Sequence, residues 1–107
     1  MMQAGELPLA ARQAVARIGR SLQPRRILVF GSYASGRPRV NSDVDLLVIV
    51  ADDREMEAQL QHCRQLVVGS FPRIDPVVCS VAELQGGGAR ALFLASALAA
   101  GHCVYGY

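Results

Sequence analysis

Three aspartates and a Gly-Ser pair are the residues whose spacing could do chemistry. Gly31 and Ser32 are followed, after ten intervening residues, by Asp43 and Asp45, and Asp75 stands near the start of a later apolar run. Side chains two apart in a strand point to the same face, so the first two aspartates would place their carboxylates side by side. A divalent cation would relieve their repulsion, and Mg²⁺ prefers such oxygen ligands. The spacing predicts a carboxylate metal site, which Asp75 completes if its strand lies alongside.

The Gly-Ser pair suits contact with a phosphate group. Gly31 lets the backbone approach a phosphate without a side chain in the way, while Ser32 adds a hydroxyl and amide donors. If a helical turn begins between Ser32 and Ser35, its unpaired amide groups would face the same phosphate. Two Mg²⁺ ions could hold the attacking and leaving oxygens, and Asp75 could help to remove the proton of an acceptor hydroxyl. These residue types suit a metal-bound polyphosphate.

Hydrophobic periodicity predicts the elements that must position these residues. Apolar side chains at three- and four-residue spacing predict a first helix, which Pro24 must end. The apolar run after Asp43 is almost purely β-branched residues and leucine, so we expect a strand buried on both faces and central in the sheet. The predicted elements up to residue 81 are a helix over Pro8–Leu22, a strand over Ile27–Phe30, a loop over Ser32–Ser42, a strand over Val44–Val50, a helix over Asp53–Val68 and a strand over Ile74–Val81.

Local signals predict where the second helix begins and add a last helix and a last strand. Asp52 and Glu55 resemble a capping box that would begin the second helix. A flexible hinge is predicted at Gly86–Gly88, followed by an apolar helix over Ala89–Ala100 and an edge strand over Cys103–Tyr105. A helix that is apolar on most faces must be buried in the domain or against a partner, and core packing is the simpler interpretation.

Length and composition exclude several classes of protein. The chain has 107 residues, of which 51% are hydrophobic and 19% charged, and these values predict one globular domain over residues 1–107. No apolar run approaches the ~20 residues needed to span a bilayer, and the first residues do not have the pattern of a signal peptide. We therefore expect a soluble, cytoplasmic protein without membrane association. Three widely spaced cysteines predict neither a disulfide framework nor a zinc site.

The Gly-Ser pair, spacer and Asp-x-Asp motif resemble the minimal nucleotidyltransferases (MNT) of the DNA polymerase β superfamily. The resemblance extends from Ile27 to Tyr105. It implies an α/β (α+β) nucleotidyltransferase fold with a small mixed β-sheet flanked by helices. It also implies a Mg²⁺-dependent transfer of a nucleoside monophosphate from a triphosphate, with ATP as the expected substrate and pyrophosphate as the leaving group.

The same resemblance assigns roles by position. It implies that Asp43, Asp45 and Asp75 are both the catalytic and the metal-binding residues, and that the triphosphate is contacted by Gly31, Ser32 and Ser42. Many relatives carry arginines soon after the Gly-Ser pair, where this chain has Tyr33 and Ser35. Arg37 and Arg39 in the same loop are the candidate substitutes, with solvent exposure as the alternative. Tyr33 is expected to close the loop rather than to stack on a base, and both histidines, His62 and His102, are expected to be non-catalytic.

Small members of this family resemble the antitoxin half of HEPN–MNT toxin–antitoxin pairs. That resemblance implies transfer of AMP to a tyrosine hydroxyl of a helical HEPN ribonuclease, with no direct contact to nucleic acid. Two alternatives remain open on the sequence. One is a non-enzymatic antitoxin that neutralises its toxin by binding, and the other is transfer to a nucleic acid or small molecule, for which the chain lacks the recognition domains of larger relatives.

Overall fold

The computed structural model describes residues 6–39 and 42–106, which form a mixed four-stranded sheet with helices on both faces. Strand β2 is interior and pairs antiparallel with β1 and parallel with β3, while β4 pairs antiparallel with β1 at the other edge. In chain order the elements are α1 (Leu9–Leu22), β1 (Arg26–Phe30), β2 (Val44–Val50), α2 (Met56–Leu66), β3 (Ile74–Ser80), α3 (Val81–Gln85), α4 (Ala91–Ala100) and β4 (His102–Tyr105). The expected mixed sheet flanked by helices is confirmed, and so is the interior position of β2.

Alternation along the strands divides the core into two layers. Along β2, Val44, Leu46 and Val48 pack toward one face, and Leu47 and Ile49 pack toward the other. The first face is covered by α1 and α2 through a set of buried side chains, which are Ala11, Ala14, Ile18, Cys63 and Val67. The second face is covered by α4 through Leu94 and Ala97. A strand buried on both faces must be apolar throughout, which is the pattern that β2 shows in the sequence.

The second helix begins later than predicted, because the expected capping box does not form. Helix α2 starts at Met56 rather than at Asp53, and the side chain of Glu55 makes no capping hydrogen bond. The Asp52 carboxylate instead accepts a hydrogen bond from the backbone N–H of Arg54 at 2.9 Å. Glu55 then adopts a left-handed conformation with φ 61°, which is incompatible with a continuing helix. A local side-chain turn therefore competes successfully with helix initiation.

Ser80 ends β3 and begins a short helix that the sequence prediction missed. The prediction extended the strand to Val81, but this residue is the first of α3. The Ser80 hydroxyl accepts a hydrogen bond from the backbone N–H of Glu83 at 3.0 Å, as an N-cap residue does. Ser80 followed three residues later by Glu83 is the sequence signature of a capping box. The signal for α3 was therefore present in the sequence.

The last helix is only partly covered. Helix α4 begins at Ala91 rather than at Ala89, and Leu94 and Ala97 are its buried residues. On its other faces, Leu92 is 89% exposed and Phe93 is 45% exposed. The expectation that simple core packing would bury this helix is therefore wrong for most of its surface. No helix within residues 6–39 and 42–106 is long and apolar enough to cross a membrane.

Candidate active site

Two of the three aspartates are direct neighbours across the sheet. In the parallel pairing of β2 and β3, Asp45 lies opposite Asp75, and adjacent strands in a sheet are ~5 Å apart. Asp45 is half-buried, whereas Asp75 and Asp43 are exposed. The condition on which Asp75 could join the other two aspartates, that its strand lies beside that of Asp45, is met. Both side chains belong to the face of the sheet that α4 covers, because they alternate with residues that pack toward α1 and α2.

The electrostatic environment of Asp45 favours its neutral form. Burial raises the pKa of the Asp45 carboxyl above its ordinary value, and the nearby carboxylates of Asp75 and Asp43 raise it further. Each cause opposes a negative charge at this position. None of the three carboxylates accepts a hydrogen bond from a residue that the structure describes. Among the residues that the structure describes, none forms an ion pair with these carboxylates, so the site concentrates negative charge that a metal ion can neutralise.

Gly31 is placed directly against the Asp45 carboxylate. It follows Phe30, the last residue of β1, which lies opposite Asp45 in the antiparallel pairing. Gly31 has φ +75°, and a Cβ atom built on it would overlap Oδ2 of Asp45. Both the backbone conformation and the absence of space require glycine here. The Gly-Ser pair and the Asp-x-Asp motif are therefore in contact.

Residues 31–36 form a compact turn that begins at Gly31, beside this carboxylate. The backbone N–H of Ser35 donates to the carbonyl of Gly31 at 3.1 Å, and the Ser35 hydroxyl donates to the carbonyl of Ser32 at 2.9 Å. The turn does not continue into a helix. The amide groups that open a turn of this kind have no partner within it, so they can donate to an anion. Tyr33 packs against the core on the α1 side, which agrees with its expected role in closing the loop.

His102 holds this turn from the far edge of the sheet. Its Nε2 atom lies 3.0 Å from the carbonyl oxygen of Ala34, a contact between residues 68 positions apart. A ring nitrogen that carries hydrogen donates to that carbonyl. Sequence reasoning treated His102 only as non-catalytic and did not predict this positioning contact. No local motif marks it, because the contact depends on β4 pairing with β1.

The loop arginines and Ser42 lie near the motif but make no contact that reveals a ligand role. Arg37 and Arg39 are exposed. Within residues 6–39 and 42–106 the only ion pair joins Arg90 to Glu83, at 2.7 Å. The Ser42 hydroxyl accepts from the backbone N–H of Arg39 at 2.7 Å, which closes the loop just before Asp43. A triphosphate contact from any of these three residues stays a prediction.

A network around Arg90 fastens the loop before α4 to the sheet. The Arg90 guanidinium donates twice to the Glu83 carboxylate, at 2.7 and 2.9 Å, and once to the carbonyl oxygen of Val78 at 2.9 Å. Ser80 belongs to the same corner, where its hydroxyl donates to the carboxylate of Asp53. These hydrogen bonds hold both ends of the glycine-rich segment at residues 86–88. They do not involve the candidate catalytic residues.

The donor set fits Mg²⁺ by its chemistry, although the three carboxylates do not converge on one point. Among the residues that the structure describes, no three His, Cys, Asp or Glu side chains are arranged closely enough to hold a metal ion. Asp43 and Asp75 are exposed, so their side chains can rotate toward Asp45. Mg²⁺ takes one or two carboxylates and completes its shell with water and phosphate oxygens, so three convergent protein ligands are not required.

Comparison with known proteins gives a family and a structural neighbour. A family model described as "Nucleotidyltransferase domain" matches residues 11–84, which include the Gly-Ser pair and all three aspartates. A solved structure described as a crystal structure of a toxin–antitoxin with AMP-PNP has a TM-score of 0.55 and 22% sequence identity. That match covers 88% of this chain and 72% of the other. No curated protein sequence is significantly similar to this chain.

Proposed function

The chain belongs to the nucleotidyltransferase domain family, and on that premise we propose that it transfers AMP from ATP to a hydroxyl group of a partner toxin, with Mg²⁺. One observation carries the proposal. Asp45 faces Asp75 across adjacent strands while Gly31 lies against the Asp45 carboxylate. A carboxylate pair, a close backbone approach and the amide groups that open a turn are parts that suit a reaction at a nucleoside triphosphate.

The proposed reaction is a displacement at the α-phosphorus of the triphosphate. The acceptor oxygen forms a bond to phosphorus while the bond to the bridging α–β oxygen breaks, and pyrophosphate leaves with that electron pair. The carboxylate of Asp75, which is exposed and so within reach of an acceptor, takes the hydroxyl proton. Mg²⁺ bound by Asp43, Asp45 and Asp75 would neutralise the charge on the reacting oxygens. Gly31 and the turn that begins with Ser32 would hold the triphosphate.

The charge distribution around Asp45 supports metal binding in this scheme. A carboxylate whose pKa is raised by burial and by two neighbouring carboxylates gains more from a bound cation than an isolated one would. Binding a divalent ion removes the repulsion and favours the ionised form of Asp45. Metal affinity and the ionisation of Asp45 are therefore coupled, and we expect Mg²⁺ to bind more weakly as the pH falls.

The proposed acceptor, a toxin hydroxyl, is supported by a structural neighbour and by the family resemblance. The neighbouring structure is a toxin–antitoxin with AMP-PNP, an ATP analogue. The resemblance of this chain to the antitoxin half of HEPN–MNT pairs narrows the proposed acceptor to a tyrosine of a HEPN ribonuclease. Transfer to such a hydroxyl would neutralise the toxin chemically.

The decisive experiment is incubation of the protein with a co-encoded helical partner, Mg²⁺ and ATP, followed by intact-mass spectrometry. The partner is expected to gain the mass of one or more AMP groups. Asp43→Ala and Asp45→Ala should abolish this gain while circular dichroism shows an intact fold. Glu57→Gln removes an exposed carboxylate on α2 and serves as the matched control. An unmodified partner, under conditions where the protein binds ATP, would contradict the proposal.

A second candidate is an antitoxin that neutralises its toxin by binding alone. The uncovered apolar side chains of α4, Leu92 and Phe93, favour it, because exposed apolar surface is typical of protein interfaces. The two candidates differ in their dependence on the carboxylates. If Asp43→Ala and Asp45→Ala protein still neutralises the toxin completely in cells, binding alone is sufficient and transfer is not the mechanism.

A further inference from the structure

A cavity of about 220 Å³ lies between the end of β1 and helix α4, on the same face of the sheet as Asp45 and Asp75. Its walls combine two aromatic rings, the backbone of the Gly-Ser pair and small side chains of α4. The lining residues are Phe30, Gly31, Phe93, Ser96, Ala97 and Ala100. Apart from Gly31, none of these residues has a role in the proposed catalytic step or in the proposed triphosphate contacts.

The cavity is contiguous with the proposed reaction centre. Gly31 forms part of its wall, and Gly31 also lies against the Asp45 carboxylate. Phe30 is the register partner of Asp45 on the neighbouring strand. In a nucleoside triphosphate the base is separated from the α-phosphate by one ribose. A triphosphate reacting beside Asp45 therefore has its base within reach of this cavity.

The chemistry of the walls suits a flat, uncharged ring. None of the six lining side chains is ionisable, so the cavity offers no charge to a phosphate. The rings of Phe30 and Phe93 meet edge to face, with centroids 5.7 Å apart and planes at 78°. Phe93 is 45% exposed, which leaves part of its ring free to contact a ligand. Ser96 contributes a hydroxyl group that can donate or accept a hydrogen bond.

The size of the cavity also limits its occupant. Pockets that bury a drug-sized ligand have volumes of ~300–1,000 Å³. A cavity of about 220 Å³ is smaller, so it fits one ring system rather than a whole nucleotide. The triphosphate and ribose must then lie outside it, toward Ser32 and the aspartates.

We propose that this cavity binds the nucleobase of the triphosphate substrate. Phe93 packs against the ring of the base, and the Ser96 hydroxyl forms a hydrogen bond with its polar edge. The proposal rests on the proposed function, since it assigns a subsite of the same reaction centre. It makes α4 part of the substrate site, in addition to its role in covering the sheet.

Calorimetric titration with two ligands tests the proposal in the presence of Mg²⁺. The non-hydrolysable analogue AMP-PNP carries a base, and inorganic tripolyphosphate does not. Phe93→Ala removes the stacking ring, and Ser96→Leu fills the cavity from an exposed position on α4. Phe93→Ala is expected to bind AMP-PNP about tenfold more weakly, near the lower end of what base–aromatic stacking contributes, and Ser96→Leu is expected to weaken binding by at least about as much because it blocks the cavity. Their affinity for tripolyphosphate is expected to stay unchanged.

Leu92→Ala is the matched control, because Leu92 is 89% exposed on the same helix and does not line the cavity. It should bind both ligands as the wild-type protein does. Unchanged AMP-PNP affinity in Phe93→Ala and Ser96→Leu would overturn the base subsite and leave the proposed function standing. Equal weakening of both ligands would also overturn it, because the effect would then act through the phosphate contacts. A wild-type protein that binds neither ligand would overturn the proposed function itself, and the subsite with it.

Discussion

Replacing Asp45 by asparagine should stabilise the metal-free protein at neutral pH while removing its response to Mg²⁺. Burial, Asp75 and Asp43 raise the pKa of Asp45 in the folded state. A carboxyl with a raised pKa causes no loss of stability below its unfolded pKa of ~3.9. The loss appears as the pH rises through the folded pKa and is complete above it. An uncharged asparagine avoids that loss and fills nearly the same space.

The geometry sets the size of the effect. Two charges separated by the ~5 Å spacing of adjacent strands would interact by about 1 kcal/mol in water and about 3 kcal/mol at an effective dielectric constant of 20. Asp45 is only half-buried and Asp75 is exposed, so solvent screening favours the lower value, about 1 kcal/mol. For a domain near 100 residues, that difference raises the Tm by about 4–8 °C. Bound Mg²⁺ should in turn stabilise the wild-type protein, by about 1.4 kcal/mol when its concentration is ten times its Kd.

Thermal unfolding followed by circular dichroism, with and without Mg²⁺, measures both effects. Asp45→Asn should have a higher Tm than the wild-type protein without metal, and a much smaller increase when Mg²⁺ is added. The advantage of the variant should shrink as the pH is lowered toward ~4, where the wild-type carboxyl is increasingly protonated. Glu57→Gln removes a carboxylate outside the site and should leave the Mg²⁺ response intact. A lower Tm for metal-free Asp45→Asn, or an equal Mg²⁺ response in both proteins, would refute the reasoning.

Three further substitutions test the parts around the carboxylates. Gly31→Ala imposes a side chain at φ +75° and against Asp45, so we expect the free energy of unfolding, measured with urea, to fall by at least ~1 kcal/mol. We also expect no detectable AMP transfer, and normal transfer would contradict the close contact. His102→Leu removes the hydrogen bond to Ala34, and steady-state kinetics should show the KM for ATP raised roughly three- to tenfold with kcat nearly unchanged, restored by His102→Gln. Ser80→Ala removes the cap of α3 and should lower the free energy of unfolding, measured with urea, by about 1–2 kcal/mol. Its affinity for AMP-PNP should stay unchanged, and a large change would show that this corner belongs to the ligand site.

Much of the sheet and of the carboxylate arrangement could be predicted from periodicity and spacing. The seven apolar residues from Val44 to Val50 have one reasonable explanation, an interior strand, and its observed bounds coincide with the prediction. Placing Asp75 beside Asp45 required only that the next strand pair in parallel, as a strand reached through a helical crossover does. These features depend on local sequence and on general rules of topology.

The missed features depend on competition or on distant contacts. Before α2, the Asp52 carboxylate accepts a hydrogen bond from the backbone N–H of Arg54 instead of capping a helix. Helix propensity alone cannot predict which of these two hydrogen bonds is the more stable. The contact between His102 and Ala34 exists only after β4 has paired with β1. The cavity beside Gly31 requires α4 to lie across the sheet. Sequence patterns contain no direct signal for such long-range packing.

The antiparallel pairing of β1 with β2 has a consequence for loop length. Phe30 and Asp45 are register partners, and the buried strands behind them fix that register whatever lies between residues 31 and 43. Loop-closure entropy changes slowly with length, so insertions at Gly36 or Pro38, both exposed, should cost little stability. The connecting segment can therefore be lengthened to accept other phosphate-binding side chains without displacing the carboxylates. Phosphate contacts can therefore be varied in this segment while the carboxylates and the cavity under α4 stay in place.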